Sequence, residues 1–258
     1  MDFGIASLAV VMLLSVIMEV VDSGLGMMYG TLLSPMLILL GYDPKLVVPA
    51  ILIAQAFGGA TGAIGHHLRK NSDFSGLTRD LKISLAIIVP GLAACILGAY
   101  IGQIIPKLYM KLYIGVLVVV MGWLCLRPVY YDFSWKKMWA IGLLSGFNKA
   151  LSGGGFGPVT STGKILGGVD PKVSVGTTTL AEVPICIVSF ITWIALGGNI
   201  SWSFPAALCA GALIGGYIGP ILTARILAGR LKTVIGALTI VSGAWLLMDL
   251  YLGLGMGQ

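Results

Sequence analysis

The chain has 258 residues, of which 57% are hydrophobic and only 10% are charged. An ordinary soluble domain has about a quarter charged residues, so this composition excludes a water-soluble globule. The formal net charge of +6 does not indicate nucleic-acid binding, because the basic residues lie at the ends of apolar segments and not in a cluster interleaved with aromatic side chains.

Ten apolar segments follow one another along the chain, and we expect each to form a helix. Roughly 20 apolar residues span a bilayer core of about 30 Å, so two of the segments are too short to cross alone. No polar stretch is long enough for a separate soluble domain, which predicts one membrane domain over residues 1–258. The segments are Phe3 to Val21, Tyr29 to Leu40, Leu46 to Leu68, Ile83 to Ile105, Leu112 to Leu126, Met138 to Leu151, Phe156 to Leu166, Val173 to Leu196, Trp202 to Thr223 and Thr233 to Met248.

The chain contains an internal repeat. The eight residues from Gly41 to Val48 match those from Gly168 to Val175 at five positions, with an offset of 127. A second block, Gly98 to Gly102, is similar to Gly215 to Gly219. Because repetition fixes architecture, the sequence predicts two homologous halves, about 1–126 and 138–258, joined by a linker at 127–137.

Five helices per half is an odd number, so the second half is expected to enter the membrane from the opposite face. Cytoplasmic loops carry an excess of Lys and Arg. If the loop around Arg69 lies inside, most other basic residues lie inside too, and only Lys45, Lys107 and Lys111 remain outside. The fold class predicted is an all-α polytopic membrane protein with two inverted-topology repeats, short discontinuous helices, ten crossings and both termini outside. Alternatively, the two short helices re-enter the membrane without crossing it.

Each half has a Gly-rich segment directly before its short helix. Three successive glycines in the second half favour unwound backbone, which is tolerated at membrane depth only against protein or a watery cavity. The short helix that follows has unpaired N–H groups and a partial positive charge, a combination that binds anions. Alternatively, the glycines only allow close helix packing. The candidate substrate-binding residues in these segments are Gly24, Gly26, Gly30, Ser152, Gly153, Gly154 and Gly155.

Ionisable groups inside a membrane are expensive and indicate function by default. The 127-residue offset places Asp22 on Lys149 and Gln55 on Glu182, so opposite charges occupy equivalent positions and can meet. Lys149 is either a counter-charge for an anionic substrate or half of a structural ion pair. Glu182 is either a proton-coupling carboxyl or a protonated side chain bonded to a neighbouring helix. Glu19 belongs to the same candidate set for ion coupling or ion pairing.

Other polar residues complete the candidate site or fall outside it. Thr177, Thr178 and Thr179 are candidate hydroxyl donors to an oxyanion. His66 and His67 are interpreted as exposed loop residues, since no Glu stands at metalloprotease spacing. We therefore predict no metal site, no cofactor and no nucleotide-binding motif.

The second Gly-rich segment carries a family resemblance. The stretch Ser152-Gly-Gly-Gly-Phe-Gly-Pro158, with Gly146-Phe-Asn-Lys149 before it, resembles the repeat motif of the TauE/SafE sulfite exporter family. The first repeat departs from the triple-Gly form and reads Gly26-Met-Met-Tyr-Gly30. The resemblance implies transport of sulfur-containing anions such as sulfite, thiosulfate or organosulfonates across the inner membrane of a bacterium or archaeon.

The functional prediction is a secondary transporter and not an enzyme. A small sulfur oxyanion is expected to bind between the two Gly-rich loops, with rocking of one half against the other alternating access. The partners predicted are this anion, the lipid bilayer and a coupling proton or cation; the sequence gives no oligomeric state. An anion channel is one alternative, and an intramembrane enzyme is a more distant one.

Overall fold

The computed structural model describes residues 5–40, 42–127, 131–197, 200 and 202–255. These residues form ten α-helices and no strand, as expected for an all-α polytopic protein. Gly41, which begins the repeated motif, and residues 128–130 of the predicted linker lie outside the described residues. The helices are α1 (Ile5–Leu25), α2 (Tyr29–Leu39), α3 (Pro44–Leu68), α4 (Arg79–Ile104), α5 (Lys107–Leu126), α6 (Trp135–Ser152), α7 (Phe156–Leu166), α8 (Pro171–Ala195), α9 (Ser203–Arg225) and α10 (Ala228–Gly255).

Polar caps explain why several helices begin before their apolar segments. Asp43 precedes Pro44 and accepts the N–H of Lys45, and Asp170 precedes Pro171 in the same way. An Asp cap followed by Pro at the first helical position is a strong start signal, because the proline lacks the N–H that would otherwise be unsatisfied. The repeated Asp-Pro-Lys motif is therefore a helix start in both halves.

The helix bounds follow the sequence repeat. Adding 127 to the bounds of α2 and α3 gives those of α7 and α8, and α1 ends 127 residues before α6. Packing follows the same exchange of halves: α1 packs on α9 as α6 packs on α4, while α3 contacts α8 and α5 contacts α10. This pattern is what a twofold relation between the halves would produce. The inversion across a membrane stays a prediction.

The short helices double back along their predecessors. The N–H of Tyr131, just before α6, donates to the carbonyl of Leu166 at the end of α7, at 2.7 Å. In the first half, Val11 of α1 and Leu37 near the end of α2 belong to one buried cluster. Both short helices have 11 residues, a length of about 16 Å, or half of a bilayer core.

The α1–α2 and α6–α7 segments thus fold back on themselves, which favours re-entry of the short helices, and the ten crossings stay a prediction. Six helices are long and apolar enough to cross a membrane, among the residues described. A hairpin that returns to its starting side leaves the sidedness of the loops unchanged. The placement of both termini outside remains a prediction from charge.

Glycines bring certain helices into backbone contact. A methyl group at Gly98 of α4 would overlap the carbonyl of Phe147 in α6, and one at Gly211 of α9 would overlap that of Met12 in α1. Small residues permit such approach between membrane helices. The tightest helix pairs, α4 with α6 and α1 with α9, thus each join one helix from the first half to one from the second.

Candidate functional site

The predicted unwinding is present at both Gly-rich segments. Between α6 and α7 the backbone turns left-handed at Gly153 (φ 77°) and Gly155 (φ 75°). The equivalent residues of the first half, Gly26 (φ 76°) and Met28 (φ 106°), also have positive φ. The two loops therefore share one backbone bend, and Met28 adopts it without the freedom of glycine.

The two loops touch each other. A Cβ added to Gly154 would lie 2.9 Å from the carbonyl carbon and oxygen of Gly30. The hydroxyl of Ser161 donates to the carbonyl of Gly26 at 2.9 Å, which ties α7 to the first loop. Gly24 instead packs against Gly219 of α9. Close packing is thus one role of these glycines, and the loops face each other as the anion hypothesis requires.

The backbone donors predicted to hold an anion already have protein acceptors. Two donate to carbonyls that end the preceding helices, and two donate to hydroxyls. Hydroxyl acceptors are the exchangeable kind, because a ligand oxygen can replace them and the freed hydroxyl can itself donate. The four bonds are Gly26 N to Asp22 O (2.6 Å), Gly153 N to Lys149 O (2.8 Å), Gly154 N to Ser152 Oγ (3.2 Å) and Gly155 N to Thr31 Oγ1 (3.0 Å).

A buried chain of four polar side chains lies beside the loops. Lys149 Nζ donates to Glu182 Oε1 at 2.6 Å and to Gln55 Oε1. Gln55 Nε2 donates to Asp22 Oδ2 at 3.1 Å, and Asp22 Oδ1 accepts the N–H of Tyr29 at 2.9 Å. Asp22 and Lys149 are thus connected through Gln55, and Lys149 forms its direct ion pair with Glu182. We call these four residues the central cluster.

The central cluster lies midway along two membrane-length helices. Gln55 and Glu182 are each the twelfth residue of a 25-residue helix, α3 and α8. Lys149 is 1% exposed and lies in the last turn of α6, four residues before the bend. The pairs related by the 127-residue offset therefore meet at the centre of the fold.

Glu19 adds a third carboxyl near the cluster. Its side chain is buried against Gly58 of α3, where a Cβ would lie 2.6 Å from the carboxyl carbon. Glu19 Oε2 has no hydrogen-bond partner among the described residues. With Asp22 and Glu182, the region holds three carboxyls and the single ammonium of Lys149.

The three threonines do not converge on Lys149. Each donates to a carbonyl one turn earlier in α8: Thr177 to Val173 (2.6 Å), Thr178 to Ser174 (2.8 Å) and Thr179 to Val175 (3.1 Å).

Thr177 instead belongs to a second buried lysine. Lys164 Nζ donates to Thr177 Oγ1 at 2.6 Å and to the carbonyl of Ser174 at 2.8 Å. Lys164 is fully buried in the last turn of α7, whereas the sequence had indicated only a basic residue of the cytoplasmic side. Its place in an otherwise uncharged 11-residue helix, between Thr162 and the next polar helix start, was the signal available.

The interpretation of both histidines as exposed is wrong for His66. Because α3 continues to Leu68, His66 is buried within it, with Nε2 2.7 Å from the carbonyl of Ser23 and Nδ1 3.1 Å from Asn71 Nδ2. His67 is partly exposed, 3.7 Å from Asp73. In the described ranges no three His, Cys, Asp or Glu side chains are grouped so that they could hold a metal ion.

Long apolar helices, two short helices that follow unwound loops, and a buried charged centre define a polytopic membrane protein of the transporter class. The family model described as sulfite exporter TauE/SafE matches residues 11–246. The chain therefore belongs to the TauE/SafE family. It is also 24% identical over 246 residues to a protein of Bacillus subtilis (strain 168) named probable membrane transporter protein YtnM, and this alignment covers 90% of the chain and 79% of the relative.

Proposed function

We propose that the protein is a secondary transporter that moves a small sulfur-containing oxyanion, such as sulfite, thiosulfate or an organosulfonate, across the inner membrane of a bacterium or archaeon. The observation that carries the proposal is the position of Lys149. Its ammonium group is buried beside the two facing loops and contacts Gln55 and Glu182, the middle residues of α3 and α8. The sulfur chemistry rests on the family, and the preference for an anion rests on this ammonium and the helix N-terminus of α7.

Lys149 forms a direct ion pair with Glu182. An anion that approaches Lys149 must compete with that carboxylate, and two anions close together in a dry site repel each other. Protonation of Glu182 removes the competition and leaves the ammonium free for the substrate. Anion binding and proton binding are then coupled at the Lys149–Glu182 pair.

The surplus of carboxyls supports the same coupling. Glu19, Asp22 and Glu182 lie near a single ammonium, and unpaired buried charges are costly. A bound proton or cation offsets the surplus. The side chains that complete the anion shell are the hydroxyls of Ser152 and Thr31, which now hold the N–H groups of Gly154 and Gly155.

Uptake into proteoliposomes tests the role of Lys149. With radiolabelled sulfite or thiosulfate, Lys149→Ala is expected to lower uptake more than tenfold, because a buried hydrogen bond to a charged group is lost. Lys136→Ala, at an exposed position, is the matched control and should transport normally. Unchanged uptake by Lys149→Ala would contradict the proposal.

A second variant separates misfolding from loss of the site. Lys149→Met combined with Glu182→Gln removes both charges of the pair, which buried ion pairs commonly tolerate. This double variant should elute as a single species and still fail to transport. A double variant that folds and transports would contradict the proposal as clearly as the single one.

Counterflow separates a carrier from a channel. Unlabelled substrate on the far side accelerates entry of labelled substrate through a carrier, whereas a channel shows no such effect.

In the same vesicles, Glu182→Gln should remove the dependence of the uptake rate on an imposed pH gradient. A retained dependence would assign proton coupling to another carboxyl.

A further inference from the structure

We propose that Lys164 and Thr160 form a second anion-binding position on the substrate path, between the central cluster and the cavity beside the 69–78 loop. This inference rests on the proposed function only in taking the transported ion to be an anion. It assigns to that ion a second binding position, at residues that neither the family motif nor the central cluster includes.

The first observation is a buried lysine without a direct ion pair. Lys164 is fully buried, and its hydrogen bonds go to neutral oxygens, the carbonyl of Ser174 and the hydroxyl of Thr177. No carboxylate of the described residues lies within ion-pair distance of Lys164, although Asp80 of α4 acts on it from farther away. Burial without a direct ion pair disfavours the charged form of a lysine, and a bound anion would supply the counter-charge that stabilises it.

The second observation is an unsatisfied hydroxyl on the same helix face. Thr160 is fully buried, and its Oγ1 has no hydrogen-bond partner in the part of the chain that the structure describes. Residues four apart on a helix are neighbours, so Thr160 lies one turn before Lys164 on the same face of α7. Together they match an oxyanion, which accepts from both.

The third observation is a cavity whose lining reaches the residue next to an acceptor of Lys164. A cavity of about 580 Å³ is lined by residues that include Asp80 and Val173, and the residue after Val173 is Ser174, the acceptor for Lys164. The lining carries both signs of charge, with Lys70 opposing Asp73 and Asp80. The cavity itself does not select anions, so selection falls to Lys164 behind it.

The first half supplies an internal control. Under the 127-residue offset, Thr160 corresponds to Leu33 and Lys164 to Leu37, and both leucines are fully buried in an apolar cluster. The equivalent positions are therefore apolar and buried in α2, and polar and buried in α7. A purely structural need of the fold for a lysine at this position would apply to both short helices.

Cysteine labelling tests the proposal. In a variant whose four cysteines are replaced by Ala, Thr160→Cys is expected to react with a negatively charged methanethiosulfonate faster than with its positively charged analogue. Leu33→Cys, the matched control, should react with neither. Thr160→Cys that reacts with neither reagent, or Leu33→Cys that reacts as fast, would overturn the proposal.

The charge of Lys164 is tested in the same protein. Adding Lys164→Gln should lower the ratio of anionic to cationic labelling rates about tenfold, as expected for one unit charge several ångströms away in a site of intermediate dielectric. An unchanged ratio would show that Lys164 is only a structural clamp between α7 and α8.

Protection by an ion provides a readout that leaves Lys164 in place. Sulfate should slow labelling of Thr160→Cys at least tenfold relative to chloride at matched ionic strength, and equal rates would overturn the proposal even if Lys164→Gln did not fold. These outcomes are independent of Lys149. Lys149→Ala could abolish transport while Lys164→Gln leaves the ratio of anionic to cationic labelling rates unchanged. That result would contradict the second anion-binding position and leave the proposed function supported.

Discussion

The α2–α3 and α7–α8 segments have equal helix bounds under the 127-residue offset but opposite chemistry where each short helix meets the long helix after it. In the first half this contact is apolar and lies in one buried cluster; in the second it carries a lysine and four hydroxyls. The corresponding pairs are Leu33 and Thr160, Leu37 and Lys164, Val47 and Ser174, Ala50 and Thr177, and Ile51 and Thr178.

The difference teaches that backbone symmetry and chemical symmetry are separable. Both halves place a bend and a short helix at the centre, which the repeat requires. In α2 the buried hydroxyls are those of Thr31 and Ser34 near the bend, whereas in α7 polar groups continue to Lys164 at the far end of the helix. An apolar contact excludes ions, whereas hydroxyls and an ammonium replace part of their hydration.

Exchanging the equivalent residues Gln55 and Glu182 is the strongest test of whether α3 and α8 are equivalent around Lys149. Glu182→Gln leaves Lys149 without its ion pair and should cost about 3–5 kcal/mol of stability. Gln55→Glu alone places a second carboxyl beside Asp22 and should also destabilise. The double variant returns a carboxylate to Lys149 from the other helix, so its thermal unfolding temperature in detergent should exceed that of Glu182→Gln.

Failure of that recovery would count against equivalence. A double variant less stable than either single one would show that α3 and α8 present their twelfth residues to Lys149 differently, despite the shared offset.

Two neighbouring glycines sharpen the comparison of the loops. Gly154→Ala would place a methyl group 2.9 Å from Gly30 backbone atoms and force the loops apart, at about 1–3 kcal/mol. Gly153→Ala meets no atom closer than 3.6 Å, so only its left-handed backbone is strained, at roughly 1–2 kcal/mol. Thermal unfolding should therefore rank Gly154→Ala as the less stable variant, and the reverse order would contradict the loop contact.

The smallest effect is expected where the second half is given the residue of the first. Lys164→Leu removes a buried charge whose partners remain satisfied, since Thr177 and Thr178 also donate to Ser174. Replacing a buried charge by an apolar side chain is commonly neutral or stabilising. The unfolding temperature should be equal or higher while anion uptake falls; a clear loss of stability would assign Lys164 to the fold.

Much of the fold could be predicted because its signals are local. The Asp-Pro-Lys starts at Pro44 and Pro171 and the apolar segment from Phe156 to Leu166 fix helix bounds directly. The offset also paired Asp22 with Lys149 and Gln55 with Glu182, and the structure brings all four together.

The remainder depends on distances that no local pattern encodes. A hydroxyl-rich run such as Thr177 to Thr179 indicates donors, but in a helix those hydroxyls bond the preceding turn and their direction is set by the neighbouring helix. Lys164 was interpreted by its side of the membrane, because a short helix that returns along its predecessor is indistinguishable in sequence from one that crosses. His66 is interpreted as a loop residue because it stands beside His67 at the start of the polar stretch before α4, although α3 continues to Leu68.

The backbone contacts between α1 and α9, and between α4 and α6, constrain how the molecule changes shape. At these glycines the two backbones touch with no side chain between them. Neither helix pair can therefore slide or rotate without opening voids along these two contact lines, the seams. Each seam fastens a helix from the N-terminal half to one from the C-terminal half. This interlocking therefore opposes the rocking of one half against the other that the sequence analysis expects, because such a motion would have to separate both seams.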